Sequence, residues 1–306
     1  MREAIDEFLN AMAYERGCVA SSRKDYGADL TKLMAFIRTR GRTTWAEVTL
    51  TDLVAWLEDF RVRHYADTSL LRYTATVKSF FGWLLENGKI EQSPTDALLP
   101  GHKPERLPRV IEERELNALI DAIDGDDFPS VRDRAIVEVL YGSGLRVTEL
   151  CTLTLHDVDW TAHTLRVFGK GRKERVVPFG TPALKALERY QKARAEFLHR
   201  YKRGTLEAER SDRRAPLFLS DSGSPCIRGT IATIVHKRIH AFLPFGTIAT
   251  PHTLRHSFAT HLLDHHAPLL DIRNLLGHAS VATTQIYTHV SNSHLKETFN
   301  TCFPRH

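Results

Sequence analysis

Apolar residues in the first third of the chain recur with the period of a helix. Ile5, Phe8, Leu9 and Met12 form one stripe, and Tyr26, Leu30, Leu33 and Ile37 form a second, opened by Ser21 and Ser22. Leu53, Val54, Leu57 and Phe60 follow the cap candidate Thr51, and Val77, Phe80, Phe81, Leu84 and Leu85 end at Gly88. Each pattern predicts an amphipathic helix with one face buried. Residues 1–92 are therefore expected to fold as a four-helix bundle with short connections. The next stretch, SPTDALLPGHKPERLP, holds four prolines and no usable period. It predicts a linker over 93–108.

Beyond the linker, residues 109–306 read as a larger, mostly helical domain with one small sheet. Helices are expected over 112–123 and 131–140. TLRVFG, the turn KGRK and ERVVPF then predict a hairpin, with Leu165 and Val167 alternating with polar residues. Thr181 and Pro182 open a long helix through Leu184, Leu187, Phe197 and Leu198, and APLFLS suggests a short strand. Helices follow over Gly229 to Phe242, from Thr250 onward, and in PLLDIRNLLGH up to Gly277. SVATTQIYTH predicts a short helix capped by Ser280, and SHLKETFN a last one. The fold class is thus mainly α with a small β-sheet.

Composition narrows the function only slightly. A chain of 306 residues can form two domains, and 42% hydrophobic with 26% charged residues is ordinary for a globular protein. The net charge of +5 and pI near 9.0 permit a polyanionic partner without requiring one. No stretch is apolar for long enough to span a bilayer. MREAIDEFLN mixes early acids with apolar residues, so a helix is expected there and not a signal peptide. Cys18, Cys151, Cys226 and Cys302 lack any CxxC spacing, which suits reduced thiols in a cytoplasmic protein. Arg61, Arg63, Arg72 and Lys78 on the bundle's polar faces are by default a solvated surface.

The segment TPHTLRHSFATHLL carries the first candidate chemistry. Thr250 and Pro251 open a helix whose Leu254, Phe258 and Leu262 make a buried stripe. A zinc hydrolase would place a carboxylate between two histidines one turn apart, but HTLRH places Leu254 and Arg255 there. No metal is therefore expected, and His256, His261, His265 and His266 read as ordinary hydrogen-bonded residues. Arg255 differs, because a guanidinium matches phosphate oxygens and keeps its charge. Three further segments could complete a phosphoryl-transfer site. Arg146 in GSGLRVTEL stands at a helix start, Lys170 (with Lys173 as a local rival) lies in the hairpin turn, and His278 and Tyr287 lie in LLGHASVATTQIYTHV.

Taken together, GSGLRVTEL, FGKGRKERVVP, PHTLRHSFATHLL and LLGHASVATTQIYTHV resemble the tyrosine recombinases, also called the phage integrase family, and most closely its Xer branch. The order Arg, Lys, His-x-x-Arg, His, Tyr is the family's, and the resemblance spans essentially the whole chain. It implies that residues 1–92 form a core-binding domain and 109–306 a catalytic α+β domain, which clamp double-stranded DNA at a recombination site. It implies that Tyr287 attacks a backbone phosphate, leaving a 3′-phosphotyrosyl link and a free 5′-hydroxyl. Arg146 and Arg255 would hold the non-bridging oxygens, Lys170 would protonate the departing 5′-oxygen, His252 would move the tyrosine's proton, and His278 would hydrogen-bond the phosphate. A free tyrosine has a pKa of about 10, so nearby cations that favour the phenolate fit this chemistry. Two arginines and a lysine supply what other nucleases take from metal ions, so no cofactor is expected.

The resemblance further implies a homo- or hetero-tetramer on DNA, with a paralogous recombinase as one potential partner and an activating translocase as another, acting in chromosome dimer resolution. An integrase of a phage, integron or other mobile element is the alternative within the family. A type IB topoisomerase and a DNA-binding factor without catalysis are the rivals outside it. Two stretches depart from the Xer pattern: HHAP over His265–Pro268 replaces a glycine-containing turn, and the chain ends FPRH where HPR is commoner. The segment after Tyr287, with Leu295 and Phe299 one turn apart, either reaches a neighbouring protomer, as in the family, or docks on its own domain.

Overall fold

A computed structural model describes residues 1–14, 20–98, 110–169, 174–201, 212, 214–240, 249–277 and 289–305. The chain divides into two compact units, Met1–Arg106 and Leu107–His306. Among the described residues no helix is long and apolar enough to cross a membrane.

The first unit holds α1 (Arg2–Tyr14), α2 (Ala20–Thr39), α3 (Leu50–Val62) and α4 (Asp67–Glu86). The predicted stripes meet in one core that is rich in aromatic rings. Phe8 and Trp45 both set their rings against Phe80, with centroids 5.3 and 4.9 Å away, and Phe60 stacks on Tyr73 at 4.5 Å. Val54 and Leu85, at the edges of their stripes, stay exposed, and Trp56, outside the predicted stripe of α3, is buried against Phe60 and Tyr73. α3 is capped by Thr49 rather than Thr51. The Thr49 hydroxyl accepts from the Asp52 N–H while the Asp52 carboxylate accepts from the Thr49 N–H, a reciprocal box that Thr51 cannot form. Leu98, inside the stretch expected to be linker, is buried in this unit's core. The rest of that stretch, residues 99–108, lies outside the described residues.

The second unit is built around α6 (Phe128–Ser143), which is buried along most of its length and packs against α8 (Thr181–Tyr201) and α10 (Pro251–Asp264). Its other helices are α5 (Glu113–Asp121), α7 (Val147–Thr152), α9 (Arg228–His240), α11 (Leu269–Leu276) and α12 (His289–Cys302). The strands β1 (Val158–Asp159), β2 (Thr164–Phe168) and β3 (Glu174–Pro178) form an antiparallel sheet in the order β1-β2-β3. Leu165 pairs with Val177 and Val167 with Arg175, so the alternation in β2 puts Leu165 and Val167 in the core.

APLFLS does not join the sheet. Its backbone makes isolated bridges, with the Leu217 N–H donating to Leu153 O and the Cys226 N–H to Phe218 O. A run of buried apolar residues is compatible with strand or irregular backbone, and here local pairing partners decide. α12 is longer than SHLKETFN suggests, and it packs on its own unit. Phe299 and Phe303 are buried and stacked 4.9 Å apart, and Arg305 donates to the Glu138 and Asp121 carboxylates. In the α10–α11 turn His266 adopts φ +64°, the left-handed conformation that a glycine takes at least cost.

Candidate active site

α10 places Arg255. Thr250 caps the helix by accepting from the Thr253 N–H, Pro251 occupies its first turn, and Leu254, Phe258 and Leu262 are fully buried. With that stripe fixed, Arg255 is carried inward and is only 8% exposed. Its Nη1 donates to Gly144 O and its Nη2 to Leu276 O, each at 2.6 Å. Gly144 ends α6 at φ +61°, and a Cβ there would stand 2.4 Å from the Phe258 ring. Glycine is thus required both by the turn and by the close approach of α10.

Arg146 follows that turn as the N-cap residue of α7. Its Nη2 donates to Gly277 O at 3.3 Å, the carbonyl next to the one that Arg255 holds. Both guanidiniums therefore meet the C-terminal end of α11, where unpaired carbonyls and the helix dipole favour cations. Glu149, three residues along α7, accepts from the Arg146 N–H at 2.8 Å and from its Nη1 at 3.1 Å. Arg175 on β3 reaches the same carboxylate with a two-pronged contact, Nη1 to Oε1 at 2.7 Å and Nη2 to Oε2 at 3.0 Å. Gly277 caps α11 at φ +64°, and a Cβ on it would come within 2.8 Å of the Arg175 guanidinium.

The charges in this cluster do not balance. The cluster sets three guanidiniums against one carboxylate: Arg146 and Arg175 share Glu149, and among the described residues no carboxylate touches Arg255. Burial, and then the neighbouring charge of Arg146, pull the Arg255 guanidinium down to about 10, so it stays charged at neutral pH but at a cost. Burial also opposes ionisation of Glu149, yet Arg175 and the Arg146 N–H outweigh it and hold the carboxyl below its ordinary range. The Arg146 side chain remains 35% exposed. A phosphate arriving on that open side would supply the missing negative charge.

Of the residues expected from the sequence, the structure brings Arg146 and Arg255 together. His252 lies on α10 three residues before Arg255, with its side chain exposed. Lys170, His278 and Tyr287 lie outside the described residues, as do Lys173 and the helix expected behind Ser280. Glu149 and Arg175 were not anticipated as site residues, although both fall inside the quoted motifs. The histidines expected to be ordinary have partners where partners are seen. His261 is buried, with Nε2 donating to Ile111 O at 3.1 Å and Nδ1 accepting from the Tyr141 hydroxyl at 2.8 Å, and His265 pairs with Glu113 at 2.9 Å.

The model of the phage integrase family matches residues 109–294, and that of the phage integrase N-terminal SAM-like domain matches residues 5–88. The chain belongs to the phage integrase family. Members of this family of tyrosine recombinases cleave and rejoin DNA through a phosphotyrosine intermediate. The tyrosine recombinase XerC of Halalkalibacterium halodurans is 34% identical over 305 residues, which cover 98% of this chain and 97% of the relative. The tyrosine recombinase XerD of Listeria innocua is 35% identical over 307 residues, covering both chains completely. Among solved structures, the Tn1549 transposon integrase in complex with transposon right-end DNA aligns over 96% of this chain and 98% of its own, with a TM-score of 0.67 and 18% identity. The likeness to that tyrosine recombinase is one of fold, and it agrees with the helical bundle and the α+β unit described above.

Proposed function

We propose that this enzyme is an Xer-type site-specific recombinase that exchanges strands at a double-stranded DNA recombination site and resolves chromosome dimers in the cytoplasm. Residues 1–92 serve as the core-binding domain, 93–108 as the linker and 109–306 as the catalytic domain. Tyr287 attacks the scissile phosphate and becomes linked to its 3′ side. Arg146 and Arg255 hold the non-bridging oxygens, Lys170 protonates the 5′-oxygen that leaves, His252 moves the tyrosine's proton, and His278 hydrogen-bonds the phosphate. Rejoining reverses these steps, so the phosphodiester energy is conserved in the tyrosyl link and no nucleotide cofactor is needed.

The observation that carries this reading is the buried Arg255 guanidinium, held by two carbonyl oxygens beside Arg146 and left without a carboxylate of its own among the described residues. Two fixed cations with an open side suit a phosphate whose charge grows as the pentacoordinate state forms. Relatives named XerC and XerD that match along the full chain support the Xer assignment. The working assembly is a homo- or hetero-tetramer on DNA, with a paralogous recombinase and an activating translocase as partners. In that assembly the α12 segment passes to a neighbouring protomer, which exchanges the intramolecular Phe299 and Phe303 contacts for equivalent ones between copies.

The test is to trap the intermediate. Nicked DNA carrying candidate sites is incubated with protein and denatured in SDS. An adduct is expected with the wild type and none with Tyr287→Phe. Tight, specific binding by the wild type without any adduct, even with partner and translocase added, would leave a DNA-binding factor in place of a recombinase.

A further inference from the structure

We propose that Arg175 is a positioning residue of the recombination site, one that keeps Glu149 from neutralising Arg146. The proposal rests on the tyrosine recombinase reading above. Glu149 is buried, so its carboxylate must find its compensation nearby. Arg146 offers one contact at 3.1 Å from its guanidinium. Arg175 offers two parallel ones, at 2.7 and 3.0 Å, the geometry in which a guanidinium binds a carboxylate best.

The two arginines also differ in exposure. Arg175 keeps only 16% of its side chain exposed against 35% for Arg146. It is wedged against Gly277, and its Nε points at Leu275 O from 3.4 Å. Arg175 is thus committed to the protein, and Arg146 has the open side. With Arg175 satisfying Glu149, Arg146 keeps most of its charge for an incoming phosphate. Without Arg175, the buried carboxylate would have Arg146 as its nearest cation and would draw that guanidinium into a tight internal pair. Arg175 also pairs with Val167 in the β2–β3 ladder, so its side chain ties the sheet to α7 through Glu149 and to the end of α11 through Leu275 O.

The experiment compares single-turnover adduct formation on nicked DNA, at saturating protein, for the wild type, Arg175→Met, Arg175→Lys and the double variant Arg175→Met with Glu149→Gln. Arg175→Met is expected to slow cleavage about 100-fold while DNA affinity changes little. Arg175→Lys keeps the charge and loses the fork, so it should fall between Met and wild type. The deciding arm is the double variant. Removing the unpaired carboxylate should restore cleavage by roughly tenfold over Arg175→Met, a recovery that a merely structural strut would not show. Arg175→Met cleaving at the wild-type rate, or a double variant no faster than Arg175→Met, would overturn the proposal. Should Arg175→Met fail to fold, Arg175→Gln replaces it with the same expectations. A wild type that forms no adduct, even with partner and translocase added, would defeat the recombinase reading instead, which separates the two failures.

Discussion

Arg132 and Arg255 are both buried guanidiniums of the second unit, 3% and 8% exposed, and the protein treats them in opposite ways. Arg132 on α6 is compensated by carboxylates. Its Nη2 lies 2.7 Å from Asp133 and its Nη1 2.6 Å from Asp221, and Arg238 closes the cluster by donating to Asp133 at 2.8 Å. Burial works against its charge, but Asp133 and Asp221 more than offset this and raise its pKa. Arg255 has only the Gly144 and Leu276 carbonyls, and burial together with Arg146 lowers its pKa. A buried cation that the fold has already neutralised is part of the scaffold. One that the fold has oriented but left short of negative charge is prepared for a ligand that brings that charge.

Truncating each arginine breaks the comparison most directly. Arg255→Met is expected to cut single-turnover cleavage by about 10²–10³-fold, the usual loss when one preorganised donor to a developing oxyanion is removed. Its cost in stability should be modest, because the two carbonyls it leaves belong to a turn and a helix end. Arg132→Met should do the reverse. It leaves Asp133 with Arg238 alone and lowers stability by about 3 kcal/mol, the low end for a broken buried pair. Cleavage by the fraction that remains folded should be unchanged. Thermal melts and single-turnover rates on both variants decide the matter. Equal losses of rate in the two, or a larger loss of stability in Arg255→Met, would show that the two clusters are not different in kind.

The same contrast explains how much of this site could be read in the chain. Leu254, Phe258 and Leu262 mark the buried face of α10 by spacing alone, and Thr250 with Pro251 marks its start, so the orientation of Arg255 follows from local pattern. Gly277 as the stop of α11 is equally local, since it takes the left-handed cap that glycine favours. Glu149 and Arg175 are different. An acid in the first turn of a helix ordinarily favours the dipole and faces water, and an arginine on a strand ordinarily covers its outer face. Nothing near Glu149 in sequence announces that an arginine on β3, 26 residues away, will take its carboxylate. Ion pairs across elements depend on packing angles that periodicity does not encode. APLFLS illustrates the same limit for the backbone, because buried apolar spacing alone does not say which carbonyls it will meet.

His261 offers a third way to bury a group that can be cationic, and with it the smallest effect. It sits on the same helix as Arg255, six residues on, and is 3% exposed. An imidazole can shed its proton where a guanidinium cannot, and burial favours that neutral form. Nε2 donates to Ile111 O, and in the neutral ring Nδ1 accepts from the Tyr141 hydroxyl. Burial lowers its pKa below the ordinary histidine value, against a weaker opposing pull from Glu113. Above the unfolded histidine pKa of about 6.5 neither state holds the proton and the full stability is present. As pH falls below that value, the unfolded chain takes up the proton first, and stability declines until the folded ring titrates as well. Lowering pH from 7 to 5 should therefore lower the wild-type Tm through this group. His261→Gln can keep a donor for Ile111 and an acceptor for Tyr141 without titrating, so its Tm should depend less steeply on pH across that range. An unchanged slope would mean that folding does not shift this pKa, and a steeper decline in the variant would mean that His261 is protonated in the folded state. The helix would then bury two positive charges, and the uncompensated state assigned to Arg255 would no longer set it apart.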